Sequence, residues 1–504
     1  MRTTLALLAL LAGCEQVELG GTYAYLDELV DPTGAVAGTD AVFMPLPRAG
    51  GVARLAPGAE EATVLDLGAR RVERLQATPT GDVLARTVAT LCDDETVTGT
   101  RIDDCPYDEL RRVGFVQRLG REKATDTWQV GPWYGDFTFS ADGRWAVAPI
   151  DPDVGTTGGG IVNLTSLLAL DLGSGRRFEI PVGFAADRIL FVEDEAGARS
   201  AVVLSRSAVA VVDLTADLPG VRITYPLTLD AGSPLSPRDV VLTPDGGHAL
   251  VTVAGSTDLY VLDLQDPSIN LVSLAGTPAD LVVDPANDQT LLVYANRSLV
   301  EVLDHQLFDL REVTLARPAN HIDLGPDYAL LSQLGAGLDL VRLDLASLRT
   351  DTIRLNYPPD EVQLAPDGAF AVTLVRSGSQ GDNLELVDLV LRDGRVRTTS
   401  TAFRLDGAPV GLAMTEIPDG MSLLVLQQGV DTLFELSWPL LGLATADLPG
   451  GPAALGRVGD GFWIAHDDPL GLVSFYTPGE DVVSLAGFGR TGLFDVDQLF
   501  VEEE

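Results

Sequence analysis

Acidic side chains recur at one position of a repeated pattern, and carboxylates that converge in space can bind cations. Each stands at the start of a short apolar run that leads into a turn. The residues at this position are Asp136, Asp187, Asp239, Asp280, His321, Glu361 and Asp495. Grouped carboxylates repel one another unless a cation such as Ca²⁺, or a basic ligand, lies between them. The alternative is structural, because an aspartate can accept hydrogen bonds from the backbone turn that joins one unit to the next.

Catalytic motifs are few. Only His321 of the four histidines belongs to the acidic set, and the chain has no H-E-x-x-H, C-x-x-C or G-x-x-x-x-G-K-[ST] motif. A hydrolytic, lactonase-like site would use His321 as its base beside Asp323. Its metal ligands would be Asp239, Asp280 and Glu361. We expect a protein that is not an enzyme, and this hydrolytic or cation-binding site is the competing hypothesis.

Two further sets of aspartates recur from unit to unit and are predicted to be structural. One set lies in the turns, at Asp142, Asp245 and Asp367. The other closes the third strand-like run, at Asp171, Asp213, Asp263 and Asp344. A catalytic site needs residues that differ between units, whereas a residue that recurs in every unit usually serves the fold.

Cys92 and Cys105 bracket an acidic insertion and are predicted to form a disulfide in an exported protein. Closing so short a loop contributes about 3 kcal/mol in the chain-entropy model. The carboxylates of the insertion could hold Ca²⁺, but they lack the D-x-[DN]-x-[DN]-G spacing of a calcium loop. A solvated surface loop held by the disulfide is therefore the favoured interpretation.

The chain carries 34 basic and 73 acidic residues, for a net charge of −39. Such a surface repels nucleic acid and anionic lipid head groups, so we expect no nucleic-acid partner. It could attract cations or basic partners instead.

The elements that must position the acidic residues are short strands. Residues 237–264 contain three strand-length apolar runs, separated by Pro-Asp-Gly-Gly and Gly-Ser turns. Eight such units follow one another between residues 133 and 487, with a period of about 40–50 residues that is typical of propeller blades. The runs are too short for helices and rich in β-branched residues. The sequence therefore predicts an all-β propeller of four-stranded blades with at least eight units.

The pattern D-V-V-L-T-P-D-G-G-H-A-L-V-T-V, followed by Y-V-L-D-L, resembles the YVTN family of β-propeller repeats. That family occurs in bacterial and archaeal surface and exported proteins, and lactonase-like propellers share its fold. The resemblance covers most of residues 133–487 and indicates a fold rather than an activity. In a propeller the first strand of each blade lines the central channel, so the acidic residues should surround one mouth of it.

The two ends of the chain have predicted roles of their own. Residues 1–14 contain Arg2, an apolar run and the ending Leu-Ala-Gly-Cys, which resembles the lipobox of bacterial lipoproteins. The resemblance implies cleavage before Cys14 and a lipid on its thiol, and Glu15 implies delivery to the outer membrane. Residues 15–40 are predicted to be a tether. Residues 492–501 match a first strand, whose blade would be completed by strands from residues 41–75.

The expected layout is therefore a signal peptide, a tether and a propeller over residues 41–504. Irregular blades fill residues 41–132, regular repeats fill 133–490, and 492–501 form the closing strand. Together these features predict a lipid-anchored propeller of the cell envelope. It would serve as a binding or scaffold module for a protein or polysaccharide partner.

Overall fold

The structure is a computed structural model of the 504-residue chain. It describes residues 32–46, 51–59, 62–68, 70–92, 110–151, 163–227, 235–377, 381–392, 394–467, 471–479 and 483–485. These residues form strands and one short 3₁₀ helix, Pro32–Gly34. No helix in the described ranges is long and apolar enough to cross a membrane.

The described strands form ten four-stranded antiparallel sheets, arranged as the blades of a β-propeller. In every sheet the four strands are neighbours in the order in which they occur along the chain. The prediction of an all-β propeller with at least eight units is thereby confirmed. The chain divides into two compact units, residues 133–445 and residues 1–132 with 446–504.

Three sheets belong to the unit that contains both ends of the chain. Their strands are β1 Val36–Ala37, β2 Val42–Leu46, β3 Gly51–Leu55 and β4 Thr63–Asp66; β5 Arg71–Ala77, β6 Val83–Cys92, β7 Leu110–Leu119 and β8 Ala124–Val130; and β37 Pro452–Val458, β38 Gly461–His466, β39 Val473–Tyr476 and β40 Val483–Leu485.

The unit of residues 133–445 begins with four sheets. Their strands are β9 Thr138–Phe139, β10 Trp145–Pro149, β11 Ser166–Asp171 and β12 Arg176–Pro181; β13 Arg188–Asp194, β14 Gly197–Leu204, β15 Ala208–Asp213 and β16 Gly220–Pro226; β17 Pro237–Leu242, β18 His248–Val253, β19 Asp258–Asp263 and β20 Ile269–Ser273; and β21 Asp280–Asp284, β22 Gln289–Tyr294, β23 Arg297–Asp304 and β24 Leu310–Thr314.

Three more sheets follow, the last of which ends just beyond this unit. Their strands are β25 His321–Leu324, β26 Tyr328–Ser332, β27 Asp339–Asp344 and β28 Thr350–Arg354; β29 Glu361–Leu364, β30 Phe370–Ser377, β31 Gly381–Asp388 and β32 Thr401–Arg404; and β33 Pro409–Ile417, β34 Gly420–Gln427, β35 Thr432–Trp438 and β36 Gly442–Asp447.

The core lies between successive sheets, because the middle strands are apolar on both faces. Val211 and Tyr225 of one sheet pack with Val251 and Leu262 of the next, and all four are buried. Burial of such a side chain contributes about 1.5–3 kcal/mol. The turn that feeds β18 needs Gly246, whose φ of +64° lies in the left-handed region.

The N-terminal and C-terminal sheets pack against each other within their unit. Met44 and Leu55 share a buried cluster with Trp463 and Phe475. The first strand of the N-terminal sheet is β1, which lies in the segment predicted to be a tether, so that tether ends earlier than expected. The predicted closing strand, residues 492–501, lies outside the described residues.

The predicted modifications also lie outside them. Cys14 and Cys105 are not described, and Cys92 ends β6 with its side chain undescribed. The signal peptide, the lipid anchor and the disulfide therefore stay predictions.

Candidate functional site

Four of the predicted site residues stand at the start of four successive first strands. Asp239, Asp280, His321 and Glu361 begin or nearly begin β17, β21, β25 and β29, and neighbouring first strands contact one another. We call this end of the sheets the entry end, and the opposite end, where first and second strands are joined, the turn end. These four residues therefore have equivalent positions on successive first strands.

The alternation of the strands exposes these side chains. Each directly precedes a residue that is buried between sheets, such as Val240, Leu281 or Ile322. Successive side chains of a strand point to opposite faces. The candidate residues consequently lie on the opposite face of each first strand and are only partly buried.

Asp187 does not occupy this position, and Arg188 does. Arg188 precedes buried Ile189, and the register shift between Val192 and Glu193 leaves Arg199 of β14 as the unpaired extra residue. Asp194 pairs with Gly197, so the turn after β13 is shorter than the turn between β17 and β18. Counting back from the turn therefore names the residue before Arg188. Arg188 Nη1 forms an ion pair with Asp239 Oδ1 of the next sheet.

The two ends of the predicted set are less informative. Asp136 is exposed and precedes buried Phe137, so it has the expected place, but its first strand β9 is only two residues long. Asp495 lies outside the described residues.

His321 lies between two carboxylates. Its Nδ1 is 3.4 Å from Asp280 Oδ2, and its Nε2 is 3.2 Å from Asp323 Oδ2. Asp280 also accepts hydrogen bonds from the Leu281 amide, at 2.9 Å, and from the Ile322 amide of the next sheet, at 2.9 Å. Asp280 thus joins two neighbouring sheets, although its inter-sheet donor lies within β25 and not in the connecting turn that the structural interpretation names.

This arrangement keeps His321 protonated. Hydrogen bonds to Asp280 and then to Asp323 raise the pKa of His321 to about 10, against the opposing effect of burial. Burial by itself would raise the pKa of Asp280, but the hydrogen bonds from His321 and the Ile322 amide outweigh it and lower that pKa. An imidazolium at neutral pH cannot accept a proton, so the geometry conflicts with His321 as a catalytic base.

Glu361 also accepts hydrogen bonds through its carboxylate, but the donors belong to its own sheet. Its Oε2 accepts a hydrogen bond from Arg376 Nη2 at 2.8 Å, and its Oε1 accepts one from Gln363 Nε2 at 2.6 Å. Arg376 lies on the second strand, whose sequence position gives no sign of this contact. Arg188, Arg376 and Gln363 are the site residues that sequence reasoning missed.

We call the resulting set the entry row. It comprises Arg188, Asp239, Asp280, His321, Asp323, Glu361 and Arg376. Asp239, Asp280 and Glu361 each have a cationic partner, respectively Arg188, His321 and Arg376. Among the described residues, no group of three or more His, Cys, Asp or Glu side chains could hold a metal ion. The structure does not bring the predicted metal ligands together.

The aspartates of the turn end behave differently. Asp245 Oδ1 accepts hydrogen bonds from Thr243 Oγ1 at 2.6 Å and from the Gly247 amide at 2.9 Å. Asp367 Oδ1 accepts one from the Ala369 amide at 2.9 Å. These bonds stay within one turn, and the prediction that such residues shape the turns is confirmed.

A separate cleft of about 290 Å³ lies between the sheets β9–β12 and β13–β16. Three arginines line it, and each has a partner. Arg144 Nη2 is 3.1 Å from Asp171 Oδ2, Arg176 Nη2 donates to the Asp217 carbonyl at 2.7 Å, and Arg199 pairs with an aspartate of its own sheet. The cleft therefore presents few free polar groups to a ligand.

Three comparisons with known proteins were made, with family models, with curated proteins and with solved structures. No protein-family model matches the chain, and no curated protein matches its sequence. Among solved structures, the dihydro-heme d1 dehydrogenase NirN in complex with DHE is 16% identical with a TM-score of 0.39, covering 64% of this chain and 72% of its own. Apo AztD from Citrobacter koseri is 13% identical with a TM-score of 0.38, covering 65% and 87%. A eukaryotic initiation factor is 13% identical with a TM-score of 0.48, covering 73% and 87%. All three TM-scores are below 0.5, so these likenesses carry no argument about this chain.

Proposed function

We propose that the chain is a lipid-anchored β-propeller of the cell envelope that binds a protein or polysaccharide partner at its entry end. The lipobox-like sequence before Cys14 and the YVTN-like repeats support the location. Glu15 supports delivery to the outer membrane.

The observation that carries the binding role is the paired state of the entry row. Its carboxylates are held by Arg188, His321 and Arg376, so the row offers donors and acceptors in fixed positions. The His321 side chain still keeps 32% of its surface exposed, and the two arginines about half of theirs, so a ligand can reach them. Groups that are fixed before binding lose less conformational entropy when a partner arrives.

The charge of the entry row indicates the kind of partner. The row contains three cations and four carboxylates, a formal charge of −1, in a chain whose net charge is −39. A nearly neutral set of alternating donors and acceptors suits hydroxyl groups, which can both donate and accept. A polysaccharide or a polar protein surface fits this pattern better than a strongly basic ligand does.

Photo-crosslinking in the native envelope tests the binding role directly. A photoreactive amino acid replaces Asp187, which is exposed beside the entry row, and in a matched chain it replaces Arg349, which is exposed at the turn end. We expect a discrete adduct from position 187 that Arg188→Gln reduces, and no such adduct from position 349. Equal adducts from both positions, or none from position 187, would contradict the proposal.

Lipidation has its own test. Radiolabelled palmitate should label the wild-type chain and the Cys92→Ala variant, and it should fail to label Cys14→Ala. Equal labelling of wild type and Cys14→Ala would remove the anchor from the proposal.

The competing proposal is a cation-binding or hydrolytic site at the entry end. It requires Asp239, Asp280 and Glu361 to leave their present partners. Calorimetry with Ca²⁺ on the wild type and on an Asp239→Asn/Asp280→Asn variant separates the two proposals. The paired entry row predicts no binding heat in either protein, whereas heat that only the wild type shows would favour the cation site.

A further inference from the structure

The outermost strand β20 has the features of an open docking edge. It pairs with β19 alone, and its sequence, Ile-Asn-Leu-Val-Ser, contains neither a charged residue nor a proline. Ile269 is 39% exposed and Leu271 is 49% exposed. An uncharged edge strand with exposed apolar side chains is a template on which another chain can pair.

In the unit of residues 133–445, the other outer strands whose pairing register with the neighbouring strand is defined are protected against pairing with another chain. These are β12, β16, β24, β28 and β32, and every one contains an arginine, and some also an acidic residue or a proline. The edge of β28 is further covered by a bridge between Arg354 and Thr399. Charges, prolines and covered edges are the usual means of preventing edge pairing. Within this set, β20 alone lacks them.

The hydrogen bonds of β20 define which backbone groups face outward. The Asp263 amide donates to the Ser268 carbonyl at 3.2 Å, and the Leu274 amide donates to the Thr257 carbonyl at 2.8 Å. Hydrogen-bonded and non-bonded pairs alternate along an antiparallel ladder. The amides and carbonyls of Ile269, Leu271 and Ser273 therefore point away from β19 and toward solvent.

We infer that β20 accepts an extended segment of a partner protein as a fifth strand of its sheet, with basic residues flanking the segment. Addition of a strand supplies main-chain hydrogen bonds, and alternate side chains supply selectivity. Apolar residues at alternate positions would lie beside Ile269 and Leu271. Asp266 at one end of the strand and Asp258 at the other, in a chain of charge −39, favour basic flanks.

A second copy of this chain is a poorer occupant than a basic segment. Two molecules that each carry a charge of −39 repel each other as they approach. The inference concerns a different surface from the entry row and does not depend on the proposed function.

A labelled peptide tests the inference. The probe is Arg-Val-Thr-Val-Thr-Val-Arg, capped at both ends, and its binding is followed by fluorescence anisotropy. We expect binding that Leu271→Lys weakens by about tenfold, which corresponds to about 1.4 kcal/mol. Leu307→Lys is the matched control, because Leu307 is 74% exposed on a turn rather than on an edge. It should bind like the wild type.

Three further measurements examine the backbone and the charge. Leu271→Pro removes only an outward amide and so should fold normally, as thermal unfolding can verify, yet it should also lose the probe. Hydrogen exchange should slow in β20 when the probe is present. A probe with glutamates in place of its arginines should bind more weakly.

Three results would overturn the inference. They are an absence of probe binding to the wild type, equal binding to wild type and Leu271→Lys, and a wild-type dimer by light scattering that Leu271→Lys converts to a monomer. The last result would show that a second copy occupies the edge.

Discussion

The aspartates at the two ends of the first strands have the same chemistry but different partners. At the turn end, Asp245 and Asp367 accept hydrogen bonds from residues two positions away in their own turns. At the entry end, Asp239 pairs with Arg188 of another sheet, and Asp280 accepts bonds from His321 and Ile322 of the next sheet. One set acts within a turn, and the other joins neighbouring sheets.

The difference separates positions that shape a local turn from positions whose residue type varies between sheets. A turn needs a local acceptor, and Asp245 and Asp367 each accept a hydrogen bond from the amide two residues further along. The residue at the entry end is an acid in some sheets, an arginine in one and a histidine in another, and the charged partner of each differs from sheet to sheet. Variation from unit to unit is what allows one end of a propeller to recognise a particular ligand.

The strongest test of this comparison is Asp280→Ala. The change removes the acceptor of the Ile322 amide and one partner of the His321 imidazolium. We expect the free energy of unfolding to fall by about 2–3 kcal/mol, since a charged acceptor of hydrogen bonds is lost in a partly buried site. Urea denaturation measures it, with exposed Asp187→Ala as the control, which should change by less than about 0.5 kcal/mol. Equal effects of the two variants would remove the inter-sheet role.

The pH dependence of stability tests the same pairing. The folded-state pKa of His321 is raised to about 10, above its ordinary value near 6.5. Its stabilising contribution is therefore complete below pH 6.5 and is lost as the pH rises through about 10. Allowing for solvent screening of a side chain one third exposed, we expect a loss of about 1–2 kcal/mol between pH 7 and 10.5.

His321→Gln supplies the reference for this measurement. The difference in unfolding free energy between wild type and His321→Gln should shrink over that pH range. A difference that changes near pH 6.5 instead would show that His321 is not held by the two carboxylates.

The turn-end aspartates should act independently of one another. Asp245→Ala and Asp367→Ala each remove side-chain acceptors from a single turn, at a cost of about 1 kcal/mol. Because the two residues lie in different sheets and share no partner, the double variant should lose the sum to within about 0.5 kcal/mol. Thermal and urea unfolding measure this, and a large departure from additivity would mean that the turns are coupled.

Arg188→Gln should have the smallest effect on stability. The ion pair with Asp239 is partly exposed, and such pairs contribute about 0–1 kcal/mol. Arg349→Gln, at an exposed turn-end position, is the matched control. A loss of more than about 2 kcal/mol from Arg188→Gln would show that the Arg188–Asp239 pair holds the two sheets together as Asp280 does, rather than being a weak, partly exposed ion pair.

Most of the fold could be predicted from the sequence because, within each repeat, turn-forming residues mark where one strand ends and the next begins. The Pro-Asp-Gly-Gly turn before β18 and the apolar run that follows define two adjacent strands by local chemistry alone. The first sheet was harder, since β1 is only two residues long and lies in a segment with little regular pattern. The ten-residue strands β6 and β7 also depart from the regular spacing.

The site could be predicted only as a position along the strands. The pattern located Asp239, Asp280, His321 and Glu361, because a residue's place in a repeat determines its place in a sheet. It named Asp187 where Arg188 stands, since the spacing does not show that the turn after β13 is shorter than the turn before β18. Pairing partners such as Arg376 depend on contacts between strands, which spacing along the chain does not reveal.

The central claim is that the entry row is a set of paired charges rather than an acid–base site, and the protonation of His321 tests it most directly. Nitrogen chemical shifts of the four histidine side chains can be followed through a pH titration, with His321→Gln used for assignment. We predict that both ring nitrogens of His321 stay protonated from pH 6 to pH 8.5 and that the ring titrates near pH 10. A midpoint near 6.5 would contradict the account, because His321 would then be free to act as a base.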